Sequence, residues 1–364
     1  MPLHDTDILP TQHTRIEVGL EPVHNALYSL LLLYKSSSMP GVTDWVRQTS
    51  VTMSDDLRHQ HGVVVNGLHY AIQPDRSYSN FTVYIDSLAA QQPEALRDRV
   101  LKGACEHNST GPRELPDLSN VLSSAEAYIT FLHETFPGTE LDIPVETEAF
   151  YYMREPERMQ NMIVSHLRTM WHMFLEREWH NIQPMLLESV NAFQQLDLNT
   201  GSTLEVARKI TGHDLVGSKW EQLVGRANRV IFVPSAHIGP YLGKFFQDNV
   251  LWLLFGARLP EGTRVAASAV SRSELLVRLG ALDDDTRLRI LALLSQYGEL
   301  CAPDIMVRLN LSQSATSRHL QQLSATGYVS ERRREGAKCY SLNHDRIQAT
   351  FSALERFLST QERI

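Results

Sequence analysis

LGALDDDTRLRILALLSQYGELCAPDIMVRLNLSQSATSRHLQQLSATGYVSERRREGAKCYSL, residues 279–342, decides the fold. Within 286–296, Leu288, Ile290, Leu291, Leu293 and Leu294 give an apolar surface at helical spacing, and Tyr297-Gly298 ends that helix. Pro303 fits the first turn of a short second helix, where its missing N–H costs nothing; Ile305, Met306 and Leu309 form its buried side and Asn310 its stop. Ser312 is placed to cap a third helix by accepting from its free amides. Thr316, Leu320 and Leu323, at spacings of four and three, make the inward stripe, and Gly327 closes it. Residues 329–334 and 337–342 then read as two strands around Glu335-Gly336, a hairpin turn signal.

The third helix turns Ser312, Gln313, Ser314, Ser317, Arg318 and Gln321 outward. Small hydroxyl side chains let a backbone approach phosphates, while Gln and Arg can make paired hydrogen bonds to adenine and guanine edges. Two helices joined by a short turn, the second carrying such residues, form a helix-turn-helix whose second helix lies in the major groove of double-stranded DNA. The hairpin that follows carries Arg332, Arg333, Arg334 and Lys338, long cations placed to reach phosphates or a neighbouring minor groove, as a wing does. On charge alone, a solvated surface is the favoured reading of this patch.

The wider chain frames this segment. Its 364 residues exceed one ordinary domain, and 43% hydrophobic with 21% charged residues is a globular composition. The formal charge of −8 hides an asymmetry: residues 271–364 hold 13 basic and 11 acidic residues, leaving 21 and 31 of the chain's 34 and 42 to residues 1–270. A local excess of +3 falls in 312–338, which suits an anionic partner. The longest apolar runs, 30–33 and 250–256, are far shorter than the ~18 residues that span a bilayer, and residues 1–22 lack an apolar signal core. No membrane association and a cytoplasmic location are expected. Cys105, Cys301 and Cys339 lie far apart with no CxxC pair, which fits a reduced compartment and argues against a zinc knuckle or a disulfide framework.

Residues 279–342 resemble the winged helix of ArsR-type bacterial transcription regulators. The family's TRLRIL run is 286–291, its LSQS…SRHL recognition run 311–320, its G-[LY]-V 327–329, and its arginine-rich wing ending in Tyr and Leu 332–342. The resemblance covers about a quarter of the chain and implies a homodimeric DNA-binding protein, usually a repressor, whose terminal helices build the dimer interface. Departures are Asp285 where the family commonly has Pro and Thr316 where it commonly has Val. Metal-sensing members often carry ELC-x-C, whereas this chain has Cys301-Ala302-Pro303, with Pro at the second thiolate position. One thiolate cannot build a soft-metal site, so no metal and no metal sensing are expected. Cys301 reads as a small, partly buried residue at a helix start, with a redox role as the minor alternative.

N-terminal to this, 21–35 reads as a helix through Val23, Ala26, Leu27, Leu30, Leu31 and Tyr34, and 44–65, 81–105 and 119–136 carry mixed or helical spacing. A long helical pattern over 157–196 predicts a break or kink at Pro184. Residues 229–234 and 250–257 are apolar enough to pair as strands, with a Gly- and Pro-containing loop over 237–244 between them, and 259–263 suggests a domain junction near Gly262. Candidate chemistry here is thin. His172, Glu176 and His180 share a helical face but lack a further ligand or an HExxH arrangement, and His59-Gln60-His61 sits among charged residues as a solvated helix or turn. Ser235 lacks a nucleophile elbow, and Gly239 and Gly243 lack phosphate-loop spacing. Trp45, Trp171, Trp179, Trp220, Tyr241 and Trp252 suit a core, or a ligand pocket around 237–241. The region also resembles the uncharacterised long N-terminal part of some ArsR-like regulators, which names no ligand.

The expected fold is therefore mainly α: an α-rich N-terminal sensor or dimerisation domain with a small β element over 1–262, and a winged helix-turn-helix with a terminal dimerisation helix over 263–364. The expected function is sequence-specific DNA-binding regulation, as a homodimeric repressor controlled through its N-terminal domain by a small-molecule inducer or a partner protein. No catalytic residue, metal or cofactor is expected. The alternative is an enzyme or ligand-binding protein whose winged helix is autoregulatory or a protein-interaction module.

Overall fold

Apolar residues recurring at three and four produce a mainly helical chain, seen in a computed structural model that describes residues 14–37, 39, 41–107, 118–198, 201–260, 272–334 and 337–360. Contacts divide it into two compact units: Leu20–Leu187 with Ser235–Pro240, and Met1–Gly19 with Glu188–Pro234 and Tyr241–Ile364. Among the described residues no helix is long and apolar enough to cross a membrane.

The first unit is built of helices. Pro22–Lys35 starts with proline in its first turn and buries Val23, Ala26, Leu27, Leu30 and Leu33. Residues 44–65 resolve into helices Asp44–Thr52 and Asp55–Gly62 and a π turn, Val63–Gly67. That turn packs so closely on helix Ile143–Met153 that a Cβ on Gly67 would lie 2.6 Å from the Ala149 Cβ. The 157–196 pattern departs from expectation. Its interruption is the π turn Trp171–Leu175, and Pro184 lies inside the uninterrupted helix Glu176–Gln194. A proline in a helix interior costs ~3 kcal/mol. Burial of Leu186, Val190 and Phe193 just beyond it, at ~1.5–3 kcal/mol each, outweighs that cost. A second correction concerns His61, expected in a solvated segment: it is fully buried and its Nδ1 meets His166 Nε2 at 3.0 Å, while His59 stays exposed beside Glu148.

The second unit holds both sheets. β1 (Arg15–Val18) runs parallel to β2 (Arg229–Ser235); β3 (Gly243–Gln247) runs antiparallel to β4 (Val250–Gly256), and the order is β1-β2-β4-β3. The expected pairing of the two apolar strands is thus present. The two short flanking strands, β1 and β3, have no counterpart in the sequence pattern: β3 occupies part of the predicted loop. Asp248 and Asn249 join β3 to β4 at φ 49° and 60°, the left-handed pair that suits a two-residue hairpin turn. The expected junction at Gly262 lies outside the described residues.

The C-terminal part of this unit is a winged helix: α1 (Arg272–Leu282), α2 (Asp285–Tyr297), β5 (Glu299–Cys301), α3 (Ala302–Leu309), α4 (Gln313–Ala325), β6 (Val329–Arg334), β7 (Ala337–Leu342) and α5 (His344–Thr360). Ile290, Leu291, Leu294, Ile305, Leu309, Leu320, Leu323, Tyr328 and Tyr340 share one apolar core. The stops act as expected: Gly298 at φ 76°, Asn310 at 53° and Gly327 at 78° take left-handed conformations. The sheet order β5-β7-β6 includes a three-residue strand that the sequence pattern does not reveal. Leu288, expected on the apolar surface, is 49% exposed; its place in the inward row is taken by Arg287. The cysteine reading also needs correction. β5 pairs with β7 so that Cys301 faces Cys339, and the two form a disulfide, while Cys105 is buried and lies outside it. A sequence separation of 38 conceals a directly opposed cross-strand pair. The expected Glu335-Gly336 turn lies outside the described residues.

Candidate nucleic-acid interface

α4 is held by its inward side and open on the other. Ser312 caps it, its Oγ accepting from the Ala315 amide at 3.2 Å. Thr316 is buried and donates back to the Ser312 carbonyl at 2.9 Å, which accommodates a hydroxyl at this core position. Leu320 and Leu323 complete the buried stripe. Ser312, Gln313, Ser314, Ser317, Arg318 and Gln321 are all exposed. At ~100° per residue, positions 313 to 321 of this set span an arc of roughly 140°, on the side of the helix away from the core. Five of the six residues singled out from the sequence therefore form one contiguous polar face, and Ser312 stands at its start as the cap.

Two residues that sequence reasoning did not single out fix the orientation of that face. Arg287 on α2, only 8% exposed, donates from Nε to the Ala281 carbonyl (2.6 Å), from Nη2 to the Gly280 carbonyl (2.9 Å) and from Nη1 to Gln322 Oε1 on α4 (2.9 Å). One guanidinium thus ties the end of α1, the start of α2 and the back of α4. The signal was present: 287, 290, 291 and 294 are a single inward row, and Arg287 stands in it. Asp284 caps α2, accepting from the Arg287 amide at 2.9 Å, and stands 3.6 Å from His319 Nδ1 on α4. Burial lowers the His319 pKa against the opposing pull of Asp284.

In the wing, β6 and β7 pair from Val329↔Leu342 to Arg334↔Ala337, with Arg332 opposite Cys339 and Arg333 opposite Lys338. Strand alternation places Arg332 and Arg334 on one face and Lys338 on the other. Arg332 forms a two-pronged ion pair with Glu299 of β5, Nη2 to Oε1 at 2.8 Å, and Arg334 Nη1 lies 3.9 Å from the same carboxylate. The Arg332 hydrogen bond holds the Glu299 carboxyl below its ordinary range. Lys338 Nζ meets Glu331 Oε1 at 2.6 Å. Such pairs at a partly exposed surface are weak, and phosphate oxygens compete with the carboxylates for the same cations. Arg332, Arg334 and Lys338 of the wing therefore rest on internal counterions.

The N-terminal candidates form no comparable surface among the described residues. The exposed His172 and the half-buried Glu176 are 3.1 Å apart, while His180 Nδ1 turns to the Glu176 backbone carbonyl at 2.6 Å. His237 is buried, stacked on Trp45 at 4.3 Å, with Ser29 Oγ 2.8 Å from Nδ1 and Glu178 Oε1 3.1 Å from Nε2. The cavity beside it, lined by Asn25, Ser29, Trp171, Trp179 and His237, is about 10 Å³, room for one water. Trp171, Trp252 and Tyr241 belong to the core.

Comparison with known proteins falls on the same segment. Residues 284–331 match the arsR family of bacterial regulatory proteins. The arsenic resistance transcriptional regulator ArsR2 of Pseudomonas putida is 37% identical over 86 residues, 22% of this chain and 75% of the relative. The arsenical resistance operon repressor of Staphylococcus xylosus is 40% identical over 76 residues, 21% and 72% of the two chains. The transcriptional activator HlyU of Vibrio cholerae is 34% identical over 84 residues, 23% and 77%.

Proposed function

The chain belongs to the arsR family of bacterial regulatory proteins, and from that membership we propose that it is a sequence-specific, double-stranded DNA-binding transcriptional regulator, acting as a homodimeric repressor in the cytoplasm. The observation that carries the proposal is the exposed polar face of α4, whose opposite side is fixed in the winged-helix core. Gln313, Ser314, Ser317, Arg318 and Gln321 read base edges; Ser312, Arg332, Arg333, Arg334 and Lys338 hold phosphates. Phe351 and Leu358, one heptad apart on α5 and 48% and 59% exposed, support a dimer through the terminal helices. Two copies then present two reading heads to a pseudo-palindromic site.

Residues 1–262 serve as the sensor or dimerisation part and 263–364 as the DNA-binding part. An inducer or partner protein acts by differential affinity for two arrangements of the heads. Regulation, not catalysis, is the proposed activity.

Selection of bound duplexes from a random pool, followed by a salt series, tests this. A pseudo-palindromic motif should emerge. Arg318→Ala should relax base preference at one position, by ~1–3 kcal/mol. Lys338→Ala should weaken all sequences alike and reduce the salt slope by about 0.9 per head. If neither variant departs from the parent, the assignment of these residues is wrong.

A further inference from the structure

The disulfide lies where the reading helices and the wing meet through strands. Cys301 ends β5 and is the residue from which α3, the first helix of the helix-turn-helix, departs; its amide donates to Asp304 Oδ2 at 3.3 Å. Cys339 is in the middle of β7, fully buried, with Arg332 of β6 as its other cross-strand neighbour. Cys301 is only partly buried, so an oxidant reaches it while its partner waits beneath. Two residues before it stands Glu299, which holds Arg332 and Arg334.

We propose that Cys301 and Cys339 are a reversible dithiol–disulfide pair through which a peroxide-class oxidant weakens the wing's hold on DNA. This rests on the DNA-binding reading for its consequence, but not for its chemistry. The Cys301 thiolate attacks a peroxide oxygen, the O–O bond breaks, and the departing oxygen leaves as water after taking a proton; Cys301 becomes a sulfenic acid. The Cys339 sulfur then displaces the sulfenic oxygen, which leaves as a second water, and the S–S bond forms. Two thiols and one hydrogen peroxide give one disulfide and two waters. A thiol reductant reverses the step by exchange.

The disulfide matters because β5 is three residues long and is otherwise held to β7 by a short ladder. Bonded, it keeps Glu299 beside Arg332 and Arg334, so phosphates must compete with a fixed carboxylate. Reduced, β5 is free to shift and release both cations. Every additional phosphate that the wing neutralises steepens the salt slope by about 0.9. The reduced form should therefore bind DNA at least about 5-fold more tightly near 0.1 M salt, with a slope steeper by roughly one to two per chain.

The test uses the full chain. After hydrogen peroxide or dithiothreitol, the protein is denatured, alkylated with N-ethylmaleimide and weighed by mass spectrometry. The reduced protein should take three labels and the oxidised protein one, at Cys105, with a crosslinked Cys301–Cys339 peptide that dithiothreitol dissolves. Both forms are then titrated with a labelled duplex of mixed sequence, about three helical turns long, across a salt series. Cys301→Ser should abolish the crosslink and keep the reduced-form affinity under peroxide; Cys339→Ala provides a second uncrosslinkable chain should the first fold poorly. Three labels after peroxide overturn the proposal, as does a crosslink that leaves affinity and slope unchanged. If the reduced protein binds no duplex at any salt, the DNA-binding reading fails, and with it the regulatory half of the proposal; the label count still decides the dithiol chemistry.

Discussion

Arg287→Ala removes a side chain that joins α1, α2 and α4. Its three hydrogen bonds come from a charged donor, each of which contributes ~1.5–3 kcal/mol net in favourable cases. They are not additive, because all three depend on one guanidinium position. Truncation also leaves Gln322 Oε1, on a residue 4% exposed, and the carbonyls of Gly280 and Ala281 short of a donor. Against this, the cost of keeping a guanidinium out of water disappears. A buried acceptor left without its donor costs ~1–3 kcal/mol, and a net loss of ~3 kcal/mol is expected here because several acceptors are affected while Arg287 retains slight exposure. That is a large part of the ~5–15 kcal/mol that holds a domain together. The assay is amide hydrogen exchange of the full chain read by mass spectrometry. Amides of α4 should exchange about 100-fold faster, the equivalent of ~3 kcal/mol, while those of helix Pro156–Met170 remain unchanged as an internal control. Affinity for the selected duplex should fall with them. Arg287→Lys should lie between, since an ammonium cannot span three acceptors set out for a planar fork. Exchange of α4 within a factor of about two of the parent would refute the reasoning, because the three bonds would then merely balance the dehydration of the guanidinium.

Two further predictions concern pH and the first unit. Burial pushes the Glu146 carboxyl up to about 7, so the folded state holds a proton that the unfolded state releases from 4.5 upward, and stability declines as pH rises through that range. Glu146→Gln should therefore stabilise the protein at about pH 8.5, by up to ~3 kcal/mol, and by much less at about pH 5, as read from thermal melting. The buried histidines respond in the opposite direction: His61 is pushed down to about 4 and His166 to about 3, so the unfolded state binds more protons below 6.5 and stability is lost as pH falls towards 4. For His61 alone this amounts to ~3 kcal/mol between pH 6.5 and 4, and His166→Gln should flatten the pH dependence of tryptophan-detected melting; an unchanged slope would rule out the pair as its source.

The helix-turn-helix was legible because its determinants are local. Ser312 as cap, Asn310 and Gly298 as stops, and the 316-320-323 row are each decided within one or two turns of chain, where spacing and backbone preference act directly. The exposed set on α4 followed from the same periodicity. Arg287 was hidden by a habit of reading charge as exposure, although its row told otherwise. A guanidinium can be buried when carbonyls surround it, and here those carbonyls come from the end of α1, a feature no spacing within α2 reveals. Pro184 misled in the same way from the other side, since the cost it imposes is local and the burial that overrides it is tertiary.

Pairing across β5 and β7 is the non-local case, and the proposed redox control depends on it most. Nothing within Glu299–Cys301 marks three residues as a strand; they become one because β7 offers an unpaired edge beside them. Once that register forms, three sequence features that looked unrelated become a single device. Cys301 finds Cys339, Glu299 comes within reach of Arg332 and Arg334, and α3 departs from the same strand end. A carboxylate so placed sets how many cations the wing offers to phosphates, and a covalent bond two residues away sets whether that carboxylate can leave. Separating the two effects needs Glu299→Gln in the oxidised protein: if the carboxylate is the brake, that variant should bind the mixed-sequence duplex as steeply with salt as the reduced parent does, although its disulfide is intact. A shallow slope that persists in this variant would place the effect of oxidation in the path of β5 into α3 instead, and move attention from the wing's charge to the seating of the recognition helix.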